Sequence, residues 1–104
     1  MVARALISDG HDVTEASDGE AALEKLAVGS PGFRVLLTDV QMPGMDGLTL
    51  ARRATATTPA LRVIVISALD QAAVSTNKLG PNARWLAKPF TLDQIRAEVR
   101  AALA

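Results

Sequence analysis

The chain has 104 residues, and 49% of them are apolar, enough to build the core of one domain. Eleven basic residues balance eleven acidic ones, which leaves no global electrostatic case for nucleic acid or an anionic membrane. Cysteine is absent, so disulfides and thiolate metal sites are excluded and a reducing compartment is favoured. No apolar run approaches the ~20 residues of a membrane span, and the first residues lack the long apolar stretch of a secretory signal. These features describe a soluble cytoplasmic domain. Aromatic residues make up only 3%, so Val, Ile, Leu and Ala must fill the core.

Val2, Ala5 and Leu6 are spaced as one helical face, and Gly10 stands where that helix would stop. The helix is already under way at residue 1, with no capping signal before it. Residues 12–16 read as a short strand centred on Val13 and Thr14. Ser17-Asp18-Gly19-Glu20 has the form of a capping box, with the Ser17 hydroxyl and the Glu20 carboxylate meeting free amides. Ala22, Leu23, Leu26 and Ala27 give the second helix its inward face, and Gly29-Ser30-Pro31-Gly32 ends it.

Residues 33–37 form the next expected strand. Its unbroken Val35-Leu36-Leu37 run suits a strand buried on both faces, as in a parallel sheet. The run leads to Asp39 and then to a Pro- and Gly-rich turn. Leu48, Ala51 and Ala54 mark a third helix, with Asp46 as its cap and Thr57-Thr58-Pro59 as its close. Val63-Ile64-Val65-Ile66 is β-branched throughout and ends at Ser67. Residues 69–80 are ambiguous: Ala72, Ala73 and Leu79 allow a helix, whereas Ser75-Thr76-Asn77 are poor helix formers. A strand over 84–87 ends at Lys88-Pro89. Thr91-Leu92-Asp93-Gln94 is a second capping box, and Leu92, Ile95, Val99 and Leu103 supply the apolar face of the last helix. A helix followed by four strands, each leading into a helix-like segment, predicts an α/β fold with a parallel sheet.

Three of those strands end on polar side chains: Asp39, Ser67 and Lys88. Parallel strands bring their C-terminal ends to one edge, where open α/β sheets bind ligands. A carboxylate, a hydroxyl and an ammonium group meeting there suit phosphoryl chemistry. The carboxylate accepts the group covalently, the ammonium neutralises phosphoryl oxygens, and the hydroxyl donates to one of them. Plainer roles suit other residues. His11 reads as a surface residue beside a turn, Arg52-Arg53 as a solvated helix face, and Met42 and Met45 as loop packing.

These residues carry a resemblance. Asp39 followed by Met42-Pro43-Gly44-Met45-Asp46-Gly47, then Ser67-Ala68, then Lys88-Pro89-Phe90, in that order and with Asp39, Ser67 and Lys88 spaced 28 and 21 residues apart, is similar to a two-component response-regulator receiver domain. The resemblance runs over residues 1–104 and implies a flavodoxin-like fold. It implies that Asp39 takes a phosphoryl group from a phosphohistidine on a histidine kinase or phosphotransferase, by self-catalysed transfer and not as an enzyme. Ser67 and Lys88 then hold the phosphoryl oxygens, and Gln41 offers its backbone carbonyl to Mg²⁺ alongside Asp39. Trp85 falls at the switch position, where the family usually carries Tyr or Phe, and the Lys88–Pro89 bond is cis. The segment around 70–83 is similar to that of small alphaproteobacterial receivers that serve as protease adaptors.

The same family begins with another strand that ends in two acidic metal ligands. Here the first strand, the start of the first helix and the acidic pair have no counterpart, which leaves four strands and weakens the expected Mg²⁺ site. That strand is central in the family's sheet order. Its place is taken by direct pairing of residues 12–16 with 33–37, by another chain in a strand-donated dimer, or by residues upstream of Met1. Two functions follow: a phospho-accepting receiver that switches a partner-binding surface, or a degenerate receiver that works as an interaction module without phosphate. An aspartyl phosphotransferase or phosphatase is disfavoured, because Gln41 stands where its second Asp would be.

Overall fold

The computed structural model describes residues 2–28, 32–41, 44–68 and 83–104. The element order is α1 (Val2–Ser8), α2 (Gly19–Val28), β1 (Val35–Asp39), α3 (Gly47–Thr57), β2 (Arg62–Ser67), β3 (Ala83–Ala87) and α4 (Leu92–Leu103). The three strands form one sheet in the order β1-β2-β3. All pairing is parallel, with Leu37 opposite Ile64 and Val65 opposite Trp85. No described helix is long and apolar enough to cross a membrane.

β2 is the middle strand, and the sheet is built on it. Val63, Ile64 and Val65 are fully buried, which requires cover on both faces. The cover follows the strand alternation. Ile64 and Ile66 join Leu6, Leu86, Ile95, Val99 and Ala102 on one side, while Val63 and Val65 join Val40 and Ala51 on the other. α4 therefore roofs one face and α3 the opposite one. Both helices start on the expected caps. The Asp46 carboxylate accepts the Thr49 N–H at 2.7 Å. Thr91 Oγ1 accepts from Gln94 N–H at 3.1 Å, and Gln94 Oε1 accepts from Thr91 N–H at 2.7 Å, a complete capping box.

α1 ends as its glycine predicts. Gly10 has φ +92°, the left-handed region that favours glycine. There Gly10 N–H donates to Ile7 O at 3.0 Å and His11 N–H to Leu6 O at 3.1 Å, a Schellman closure. Arg96 of α4 stands 3.3 Å from Asp9 as an ion pair, although its Nε–H does not lie along the contact as a hydrogen bond would.

The structure corrects four expectations. Residues 12–16 belong to no strand, so among the described residues the sheet has three strands and not four. A strand persists by pairing, and on this side β1 offers an edge that the segment does not reach. Only Val13 touches the core, Thr14 to Ala16 are exposed, and the Lys25 ammonium donates to the Glu15 carbonyl instead of a strand neighbour. Second, α2 is capped by Asp18 and not Ser17, its Oδ1 accepting Ala21 N–H at 2.8 Å. The helix begins one residue later than a Ser17 cap requires. Third, β1 is shifted to Val35–Asp39, and Val35, Leu36 and Leu37 are half-buried because their strand is an edge. Fourth, Leu92 is 37% exposed, and Ala102 joins Ile95 and Val99 in the core instead. Residues 69–80, the resemblance drawn around 70–83 save for Ala83, and the packing of Met42 lie outside the described residues.

The Asp46 carboxyl is held below its usual range, chiefly by the hydrogen bond from the Thr49 backbone N–H, with Arg52 adding a smaller attraction. A depressed carboxyl stabilises the fold above the ordinary Asp range, near pH ~4, and that contribution fades as pH falls through its lower folded value. Asp46→Ala therefore costs about 1 kcal/mol at pH 7. In urea titrations repeated at pH 3 and below, the gap to the unsubstituted chain narrows.

Candidate functional site

The C-terminal ends of the three strands are stitched together by backbone hydrogen bonds. Val40 N–H donates to Ile66 O at 2.9 Å, and Lys88 N–H donates to Ser67 O at 2.9 Å. Residues just past β1 and β3 are thereby fixed to the end of β2. The alignment places the Asp39 and Lys88 side chains within reach of each other, although 49 positions separate them in sequence.

They meet directly. Lys88 Nζ forms an ion pair with Asp39 Oδ2, and Gln41 N–H donates to Asp39 Oδ1 at 3.1 Å. The Asp39 side chain remains 31% exposed and Lys88 38%, so the pair is open to solvent on one side. Ser67 is fully buried at the end of β2, between the two strands that carry them. Trp85 is half-buried and packs against the cluster of Val40, Ala51, Val63 and Val65, on the α3 face. The Lys88–Pro89 bond is cis. His11 is half-buried, and Arg52 and Arg53 are exposed on α3.

Chemically, this is a carboxylate with one oxygen facing a cation and the other held by an amide. The cation lowers the cost of bringing an anionic phosphoryl group to the carboxylate, and the amide fixes the carboxylate's rotation. The described residues do not fit a protein-held Mg²⁺. Such a site takes one or two carboxylates in an octahedral oxygen shell. Here the Asp39 carboxylate has both oxygens engaged, and among the described residues no cluster of three or more Asp, Glu, His or Cys suited to a metal is found.

Gly47 is a positioning residue that its sequence context did not reveal. Its N–H donates to Val40 O at 3.0 Å. A Cβ built on it would lie 2.0 Å from Asp39 O and 2.7 Å from Asp39 C. The first turn of α3 is therefore pressed against the backbone of Asp39, and only a hydrogen fits there. The available signal was Gly immediately after the cap residue Asp46, a place where a helix has no need of glycine. Gly19 is a milder case, since its added carbon would meet the flexible Met45 side chain at 3.0 Å.

The match to known proteins is consistent across sequence and structure. A family model described as the response regulator receiver domain matches residues 1–100. The chain is 37% identical over 104 residues to the response regulator receiver protein CpdR of Brucella abortus (strain 2308), covering 99% of this chain and 85% of that protein. It is 38% identical to the response regulator MprA of Mycobacterium leprae (strain TN) and 40% identical to the DNA-binding transcriptional regulator NtrC of Escherichia coli (strain K12). It spans only 43% and 22% of those two proteins. The solved receiver domain of NtrX from Brucella abortus superposes with a TM-score of 0.82 at 27% identity, over 98% of this chain and 86% of that one. A receiver domain protein from Clostridium thermocellum superposes with a TM-score of 0.86 over 98% and 82% of the two chains, and its 23% identity speaks to the fold alone. The flavodoxin-like α/β architecture expected from the sequence is the one observed.

Gly47→Ala forces backbone atoms at the end of β1 to move. It lowers stability by about 1–3 kcal/mol, the usual cost of overpacking. In backbone-amide NMR spectra its largest shifts fall at Asp39, Val40 and Gln41, away from α4.

Proposed function

The chain belongs to the response-regulator receiver family of two-component signalling, and from that premise we propose that Asp39 is its phosphoacceptor. Receiver domains are signalling domains and not classical enzymes. The observation that carries the reading is the Asp39–Lys88 ion pair at the sheet edge, with the Gln41 amide on the other carboxylate oxygen. In the proposed step an Asp39 oxygen attacks the phosphorus of a phosphohistidine on a histidine kinase or phosphotransferase. The P–O bond forms as the P–N bond breaks, and the released imidazole nitrogen takes up a proton. Lys88 then turns from the carboxylate to the phosphoryl oxygens, with Ser67 donating to one of them. That exchange of Lys88 from one anion to another is the event that would be transmitted to a downstream protein, with Trp85 on the adjoining strand as its reporter. The reading carries with it a bacterial cytoplasmic setting and places residues 1–104 in one receiver domain.

A specific observation favours a second reading. With no metal-suited cluster among the described residues and Asp39 engaged by Lys88, the domain would act as a phosphate-independent interaction module. Incubation with acetyl phosphate, with and without Mg²⁺, followed by intact-mass and peptide analysis, separates the two. Phosphoryl acceptance adds one phosphoryl mass at Asp39, absent in Asp39→Asn. The absence of any adduct under both conditions leaves the interaction module.

Lys88→Ala removes the cation and strongly reduces the yield of that adduct. A solvent-open pair contributes little to folding, so the stability of this variant stays within about 1 kcal/mol of the parent. The same acetyl phosphate time course and a urea titration read the two effects separately.

A further inference from the structure

At the opposite end of the sheet, where the strands begin, two arginines stand together. Arg34 immediately precedes β1, and Arg62 is the first residue of β2. Arg62 N–H donates to Arg34 O at 3.0 Å, so the ladder sets the two residues side by side. Both side chains are exposed. The last turn of α4 reaches the same end, and the Arg34 guanidinium donates to Leu103 O at 3.5 Å. A cation is favoured at that end of a helix. The contact uses one of the five N–H groups that a guanidinium carries.

Between these elements lies a half-open cavity of about 240 Å³. Both arginines line it, together with Phe33, Leu61, Ala102 and Leu103. Its walls are held in place. Leu61 is buried and its N–H donates to Thr58 O at 3.0 Å, while Thr58 N–H donates to Ala54 O at 2.9 Å. Ala102 is buried on the inner face of α4. Among the described residues that line the cavity, none has an acidic side chain. Even set against a main-chain carboxylate at Ala104, which also lines it, the two guanidinium groups leave a positive charge over.

The lining selects a class of ligand. A guanidinium fork matches the two oxygens of a planar carboxylate. The walls beside the arginines are apolar, so a bare inorganic anion would leave them wet. The volume exceeds the roughly 150 Å³ that accepts a benzene ring. We propose that this cavity binds a small organic carboxylate. Its charged end lies between Arg34 and Arg62, and a ring or branched apolar body lies against Phe33, Leu61 and Leu103. The five residues of β1 separate this cavity from Asp39, a distance of about 17 Å. The inference does not depend on phosphorylation there.

Backbone-amide NMR of the chain titrated with benzoate tests the proposal. Benzoate moves the amides of Arg34, Leu61 and Leu103 and saturates in the millimolar range, while those of Asp39, Gln41 and Lys88 stay in place. Benzyl alcohol keeps the ring without the charge, and inorganic phosphate keeps the charge without the ring. Each needs at least about tenfold more for half-saturation. Arg34→Gln and Arg62→Gln each weaken benzoate binding by about tenfold. Both side chains are exposed, so each variant keeps a dispersed spectrum and the loss is not one of folding. The proposal is overturned by the absence of a saturable shift, by equal binding of benzyl alcohol or phosphate, by undiminished binding in either variant, or by shifts centred on Lys88.

Discussion

The middle strand, β2, is the constraint on which the rest of the molecule depends. Val63, Ile64 and Val65 have no exposed surface, so both faces of the sheet must be covered and both edges of this strand paired. Pairing on the two edges aligns β1 and β3 in fixed register, and cover on the two faces requires α3 and α4. Once these are in place, the ends of β1 and β3 lie on either side of Ser67. Asp39 and Lys88 then face each other with no further instruction. The site is a by-product of how a buried strand of β-branched residues is satisfied.

Local backbone chemistry then sharpens the site. The Gly47 amide ties the first turn of α3 to Val40, and the Asp46 cap orients that turn. The Asp39 carboxylate is held from two directions, by a backbone amide two residues on and by an ammonium carried on β3's extension. Neither contact is buried, so the pair contributes modestly to stability. That arrangement suits the proposed transfer, in which Lys88 would leave Asp39 for the phosphoryl oxygens at small cost.

The parts of the fold legible in the sequence are those whose signal is local and strong. Val63 to Ile66 declares itself by composition, α4 by Thr91 and Gln94 together with Ile95 and Val99, and the end of α1 by Gly10. The site's acid and base were legible for a related reason, since both follow an apolar run and precede a proline-bearing turn. The rest depended on neighbours. Residues 12–16 have the alternation of a strand, but alternation does not supply a partner. Ser17 and Asp18 are both good caps, and it is the Asp18 carboxylate that accepts the Ala21 N–H. The half-burial of Val35 to Leu37 reflects the edge position of β1 among the described strands and not their own hydrophobicity. Gly47 gave only a weak signal, because its role is defined by the backbone of Asp39, eight positions earlier in the chain.

The proposed function depends on whether Asp39 takes a phosphoryl group from a phosphohistidine. Phosphorus NMR of the chain mixed with a phosphohistidine-bearing phosphotransferase tests it most directly. Transfer to Asp39 predicts that the phosphoramidate signal declines while an acyl phosphate signal appears, and that the new signal is missing with Asp39→Asn. A phosphoramidate that persists unchanged, or one that decays to inorganic phosphate with no acyl phosphate formed, contradicts it.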